Sequence, residues 1–174
     1  MFLKSVKGDD VKNKKVFLRA DLDVPIKSGE ILDTTRLKAW LPTFEYLLKN
    51  KAHVFIAGHL GRPKDKDEKF SLKPVAGWIK KALEFNNGLK IIDINGLKAW
   101  KIAENVFLLE NLRFYKEEEE NRKKFSKKLA SLAEIYINDS FANSHRAHAS
   151  MVGITKYLPS FAGFRLKEEI GVLS

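Results

Sequence analysis

Residues Val16–Pro25 read VFLRADLDVP, and this stretch decides the fold. Val16, Phe17 and Leu18 make a short apolar run with strand propensity. The run ends abruptly in Arg19, Asp21, Asp23 and Pro25. An all-apolar strand suits a parallel sheet buried on both faces. Charges placed where such a strand stops lie at the carboxyl edge of the sheet, which is where open α/β sheets bind ligands.

The same grammar repeats along the chain. His53–Ala57 (HVFIA) reads as a second strand, running into Gly58-His59-Leu60-Gly61-Arg62-Pro63. Lys90–Ile94 reads as a third. Val106–Leu109 is a fourth, ending in Glu110-Asn111-Leu112-Arg113. Ile135–Ile137 is a fifth, ending in Asn138-Asp139 and then NSHRAHAS over Asn143–Ser150. Leu158–Phe164 holds a sixth, short strand.

Helical patterns fill the intervals. Asp33 caps a helix beginning at Thr34, with Leu37, Leu41, Phe44 and Leu48 as its stripe. Pro42 is expected to kink that helix or restart it. Ser71 caps a second helix carrying Leu72, Val75, Ala76, Ile79 and Leu83. Leu97–Ala103 reads as a short helix. Glu117–Glu120 followed by Lys123, Lys124, Lys127 and Lys128 reads as a solvated helix with Glu119–Lys123 and Glu120–Lys124 pairs. Leu166–Leu173 begins another helix. Residues 1–15 read as an exposed lead-in, and Lys27–Glu30 as a turn. Strands alternating with helices predict an α/β, Rossmann-like three-layer αβα sandwich, its sheet of about six strands mostly parallel.

Composition bounds the function. The 174 residues are 44% hydrophobic and 31% charged, enough for one well-buried domain. With no cysteine, disulfides and thiolate metal sites are excluded. Neither a signal peptide nor a membrane-length apolar run is present, so a cytoplasmic protein is expected. The net charge of +10 fits either an anionic partner or Lys-rich solubility.

Arginine stands out at the strand ends, because elsewhere the chain prefers lysine. Arg19, Arg36, Arg62, Arg113 and Arg146, with His59, would ring one crevice. Arginine suits bidentate capture of phosphate and carboxylate. Asp21 and Asp23 either accept a ligand hydroxyl or cap turns. Glu110 reads as an anchor for an arginine or a backbone amide. His145 and His148 read as structural rather than metal-binding. Neither G-x-x-x-x-G-K-[ST] nor G-x-G-x-x-G occurs, so no nucleotide cradle is recognisable. The aromatics do not interleave with a basic stripe as in single-strand nucleic-acid binders. The residues alone therefore predict a site for a small, multiply anionic, hydroxylated metabolite. A non-catalytic basic module for a polyanion, and an unrelated Rossmann-like domain for another phosphorylated substrate, remain as alternatives.

RADLDVP (Arg19–Pro25), DTTRL (Asp33–Leu37), HLGRP (His59–Pro63), LLENLRF (Leu108–Phe114) and NDSFANSHRAHASMVG (Asn138–Gly153) occur in this order. Together they resemble the N-terminal domain of the phosphoglycerate kinases, from about residue 2 to the end. Asp23 departs from that family's usual Asn, and Gly58 from a common Ser. The resemblance implies a glycolytic phosphotransferase that moves a phosphoryl group between ATP and the carboxylate of 3-phosphoglycerate. It implies that residues 1–174 form the substrate-binding half, inactive alone. Mg-ATP or Mg-ADP would be held by a C-terminal domain outside this chain, with no metal bound here. It assigns substrate binding to Asp21, Leu22, Asp23, Arg36, His59, Leu60, Gly61, Arg62, Arg113 and Arg146. Arg36 would also stabilise the phosphoryl group in transit. It implies a monomer acting on a small molecule, with neither nucleic acid nor membrane as partner.

Overall fold

The apolar run Val16–Leu18 lies in the central strand of the parallel part of the sheet. The structure is a computed structural model that describes residues 4–173. Strand β1 (Lys15–Ala20) pairs in parallel with β4 (His53–Ala57) on one side and β8 (Ile135–Asp139) on the other. Being flanked twice, it is buried from Val16 to Ala20. Strand β7 (Val106–Leu109) extends the parallel set beyond β4, and β9 (Ser160–Ala162) extends it beyond β8.

The main sheet has seven strands, one more than expected, in the order β5-β6-β7-β4-β1-β8-β9. The extra strand is β6 (Leu97–Ala103), where the sequence reading placed a helix. It pairs antiparallel with β5 (Lys90–Ile94) and with β7. Leu97 and Ala99 bury on one face at period two. Asn95 and Gly96, at φ 53° and 76°, form the two-residue turn that a tight hairpin requires. A separate small hairpin, β2 (Ile26–Lys27) and β3 (Glu30–Ile31), turns at Ser28-Gly29, within the expected turn.

Helices cover both faces. On one lie α2 (Thr35–Lys49) and α3 (Lys73–Ala82), packed on Val16, Leu18, Ala20, Val54 and Ile56. On the other lies α5 (Lys123–Ala130), whose Phe125 and Leu129 pack on Phe17, Ala57 and Tyr136. Each large side chain buried in this way contributes about 1.5–3 kcal/mol. The three-layer α/β expectation holds.

Helix α2 runs through Pro42 without restarting. Its buried face is Leu37, Trp40, Thr43, Phe44 and Leu47, with Leu41 and Leu48 at the margin. The helix begins one residue later than expected, with Thr34 at its N-cap, and Asp33 just outside accepts the Thr35 backbone N–H at 2.8 Å. In α3 the Ser71 hydroxyl accepts the Lys73 N–H at 3.2 Å.

The acid-then-base run is not one helix. Asn121, in the left-handed region at φ 50°, separates α4 (Lys116–Glu119) from α5. The i,i+4 pairs of a continuous helix are replaced by Arg122–Glu120 at 2.7 Å and Arg113–Glu119 at 3.5 Å. Glu118 is buried rather than solvated, at 2% exposure.

The lead-in is likewise part of the fold. Met1–Leu3 lie outside the described residues. The Ala162 N–H donates to Lys4 O at 2.9 Å, Gly8–Val11 form a short helix (α1), and Val6 and Val11 are buried. Helix α6 (Phe164–Leu173) follows β9, as expected near the end of the chain.

Candidate active site at the carboxyl edge

Because β1, β4, β7 and β8 are mutually parallel, their carboxyl ends share one edge, and the loops that follow them meet there. After β1 comes Asp21. Its carboxylate lies 3.5 Å from the Arg36 guanidinium, which the first turn of α2 supplies. Burial raises the Asp21 pKa, and Arg36 opposes that rise. Both residues face a concavity of about 230 Å3, lined also by Trp40, Asp139 and Arg165.

Asp23 turns the other way. It accepts the Gly61 N–H at 2.8 Å, tying the loop after β1 to the loop after β4. Gly61 is required here twice over. Its φ is +60°, and a Cβ would stand 2.4 Å from the Phe70 ring. Gly58 fills an equally tight place, since a Cβ would meet the Leu22 side chain at 2.6 Å. The Leu22 and Leu60 side chains are core. Only their backbones can face a ligand.

The loop after β4 is pinned from below by Asn111. Its side chain accepts the Leu60 N–H at 3.3 Å and donates to Leu60 O at 2.8 Å. Glu110 anchors backbone amides, as expected, accepting from Leu72 N at 2.7 Å and Asn111 N at 2.9 Å. It also accepts from the Ser71 hydroxyl and the Trp100 indole.

His59 is 5% exposed. Burial, followed by Arg19, Arg113, Arg146 and His148, drives its pKa down to about 2. The ring is therefore neutral, and the 3.7 Å approach of its Nε2 to Asp23 is not an ion pair. Arg19, 1% exposed, donates to the Ser150 hydroxyl at 3.0 Å, to Ala20 O at 2.6 Å and to His59 Nδ1 at 3.2 Å.

Arg113 donates to Gly61 O and lies 3.5 Å from Glu119. Its Nε is buried with no hydrogen-bond partner, and so is the Nε of Arg146. Arg62 is exposed and pairs with no acid among the described residues. His148 is half-buried, its pKa lowered by burial.

Asp23, His59, Gly61 and Arg113 thus form one connected cluster. Arg146 acts electrostatically on both His59 and Arg113. Asp21 and Arg36 form a second cluster beside it. Arg62 touches neither. Sequence reasoning left Glu118 and Ser150 out, and no pattern in the charge run distinguished Glu118 from its neighbours. Arg19 was named at the strand end but not among the binding residues.

The class this defines is an open α/β domain with an arginine-lined anion crevice at its sheet's carboxyl edge. The family model described as phosphoglycerate kinase matches residues 6–174. Phosphoglycerate kinase of Wolbachia pipientis wMel is 48% identical over 99% of this chain. The cytosolic phosphoglycerate kinase of Triticum aestivum is 49% identical over 94%. The solved phosphoglycerate kinase of Coxiella burnetii superposes with a TM-score of 0.84 at 35% identity, covering 99% of this chain and 44% of that one. The chain belongs to the phosphoglycerate kinase family. It spans 44% and 42% of the lengths of the first two relatives.

Proposed function

We propose that this chain is the 3-phosphoglycerate-binding, N-terminal half of a two-domain phosphoglycerate kinase. The whole protein would transfer a phosphoryl group between ATP and the carboxylate of 3-phosphoglycerate, giving 1,3-bisphosphoglycerate and ADP in glycolysis. The observation that carries this reading is the set of under-used arginine donors at one sheet edge. Arg146 buries an Nε with no hydrogen-bond partner, the Arg113 Nε has only the Glu119 carboxylate at 3.5 Å, beyond good hydrogen-bond geometry, and Arg62 is exposed in the loop after β4. Buried donors of this kind call for an acceptor. An anion that met Arg62, Arg113, Arg146 and the neutral His59 would supply it.

In this reading those four residues hold the substrate phosphate, with the backbones of Leu60 and Gly61 shaping the loop between them. Asp21, Asp23 and the Leu22 backbone hold the hydroxyl and carboxylate end. Arg36 lies near the carboxylate and neutralises charge on the phosphoryl group in transit. A carboxylate nucleophile is already ionised at neutral pH, so the chain needs no general base. Its contribution is positioning and charge neutralisation.

The residues present do not fit Mg-ATP or Mg-ADP. The tight glycine turn at the edge spends its Gly61 N–H on Asp23, and Phe70 fills the space above it. No group of three or more acidic or histidine side chains among the described residues could hold a metal ion. The nucleotide is assigned to the remainder of the full-length protein. We further propose a cytoplasmic monomer acting on a small molecule, with neither nucleic acid nor membrane as partner. Cytosolic relatives, and the absence of a membrane-length apolar helix among the described residues, support this.

Calorimetric titration with 3-phosphoglycerate tests the reading. Saturable one-to-one binding is expected, weakened at least tenfold in Arg62→Ala, as for loss of a charge-assisted hydrogen bond. Absence of binding by the folded chain, or binding that falls steeply with salt and ignores 3-phosphoglycerate, would refute it.

A further inference from the structure

A buried polar chain leads from α4 to the crevice, and its members leave one another no freedom. The Glu118 carboxylate accepts from both the Ser150 N–H, at 3.0 Å, and the Ser150 hydroxyl. That hydroxyl has one hydrogen, spent on Glu118, so it meets the Arg19 Nε as an acceptor, at 3.0 Å. Arg19 places its remaining nitrogens on Ala20 O and His59 Nδ1. A guanidinium can only donate. His59 Nδ1 must therefore accept, and the imidazole hydrogen must sit on Nε2. That nitrogen faces the carboxylate of the partly exposed Asp23 at 3.7 Å.

We propose that Arg19, clamped by Ser150 and Glu118, is a positioning residue that fixes His59 as a neutral Nε2–H donor aimed into the crevice. The portion concerning a bound phosphate rests on the substrate reading above. The other basic groups facing His59 support the neutral ring. Arg113 after β7, and Arg146 and His148 after β8, all disfavour its protonation, and so does Arg19 itself. His59 would then serve the phosphate as a directional hydrogen-bond donor, while the arginines supply the charge. The arrangement also gives a place to Asp23, where the related sequences were expected to carry Asn. Its carboxylate accepts from the Gly61 N–H and faces a ring nitrogen that can only donate.

The test is long-range nitrogen-15 NMR of the imidazoles, with His53, His145 and His148 assigned by substitution. In the wild type, His59 is expected to show an unprotonated Nδ1 and a protonated Nε2, unchanged from pH 5 to 8. A ring with hydrogen on Nδ1, or with both nitrogens protonated in that range, overturns the proposal.

In the double variant Arg19→Met/Glu118→Gln, which removes the buried charges together, His59 should populate both tautomers. It should also begin to titrate towards its ordinary value of about 6.5. Arg19→Lys should not restore the single tautomer, because an ammonium lacks the planar fork. A folded double variant whose His59 resonances stay at wild-type positions also overturns the proposal. Ser150→Ala gives the same reading if the double variant does not fold. Adding 3-phosphoglycerate should shift the wild-type Nε2–H signal, and binding should weaken about tenfold in the double variant. If 3-phosphoglycerate shifts no resonance while the tautomer result stands, the substrate reading fails and the positioning role survives.

Discussion

Two of the arginines at the carboxyl edge of the sheet end inside the protein and two end outside it. Arg19 and Arg113 are buried and engaged with hydroxyls, carbonyls and carboxylates of the chain itself. Arg36 keeps more than half of its side chain in solvent and holds Asp21 at 3.5 Å, while Arg62 pairs with no acid among the described residues. The first pair shapes the floor, and removing either strands a buried partner. The second pair has exposed charge to offer a ligand and little to do with folding, whereas Arg113 does both, bracing the loop after β4 and keeping an Nε without a hydrogen-bond partner. An arginine at a strand end is thus two different devices, and burial decides between them.

The sharpest way to break this contrast is through Glu118. Glu118→Ala removes the buried counter-charge of Arg19 and is expected to cost about 3–5 kcal/mol in urea denaturation. Arg62→Ala should stay within about 0.5 kcal/mol of wild type. Equal losses in the two would dissolve the distinction.

Next comes Gly61→Ala, which adds a Cβ against Phe70 at a positive φ. It should cost about 1–3 kcal/mol by the same measurement and uncouple Asp23 from the loop after β4.

The pH dependence sharpens the contrast further. His59 is neutral in the folded protein, with its pKa lowered to about 2 from an ordinary 6.5. The unfolded chain takes up a proton below pH 6.5 that the folded one refuses. Stability should therefore be full above that pH and fall as pH drops, by up to about 1.4 kcal/mol per pH unit. His59→Gln should flatten this slope in chemical denaturation between pH 7 and 5. Asp21, Glu118 and Asp139, whose pKa values burial raises, act in the opposite sense.

A small effect on stability is expected from Arg36→Ala. It breaks an exposed ion pair and should cost under 1 kcal/mol in the same denaturation series, while lifting the Asp21 pKa further.

Much of this was legible from residues alone. The parallel strands announced themselves as apolar runs ending in charge, because a strand buried on both faces has no room for alternation. The two helix starts were legible to within a residue, since the N-caps are Thr34 and Leu72, each just after the expected Asp33 and Ser71. Strand β6 was not, because Leu97–Ala103 mixes lysines with apolar residues. The deciding signal was the Asn95-Gly96 turn before it, which forces a hairpin and so a strand on either side. The Glu117–Glu120 run misled for a different reason. Its composition is that of a solvated helix, and only contact with Ser150, 32 residues away in sequence, buries one of its four acids. Pattern reports local period, whereas such a partner is set by the whole fold. The edge constellation was visible as a set of arginines, but which of them the protein keeps for itself was not.

The place of β1 between β4 and β8 has a consequence for how the protein is made. One flank closes early, on β4. The other waits for β8, and the Lys15–Glu134 contact beside that pairing spans 119 residues. During synthesis the amino-terminal part emerges first. Until residue 135 is available, a strand that the finished fold buries from Val16 to Ala20 offers an open hydrogen-bonding edge. Such an edge pairs readily with other chains. The step that closes this edge is the pairing of β1 with β8.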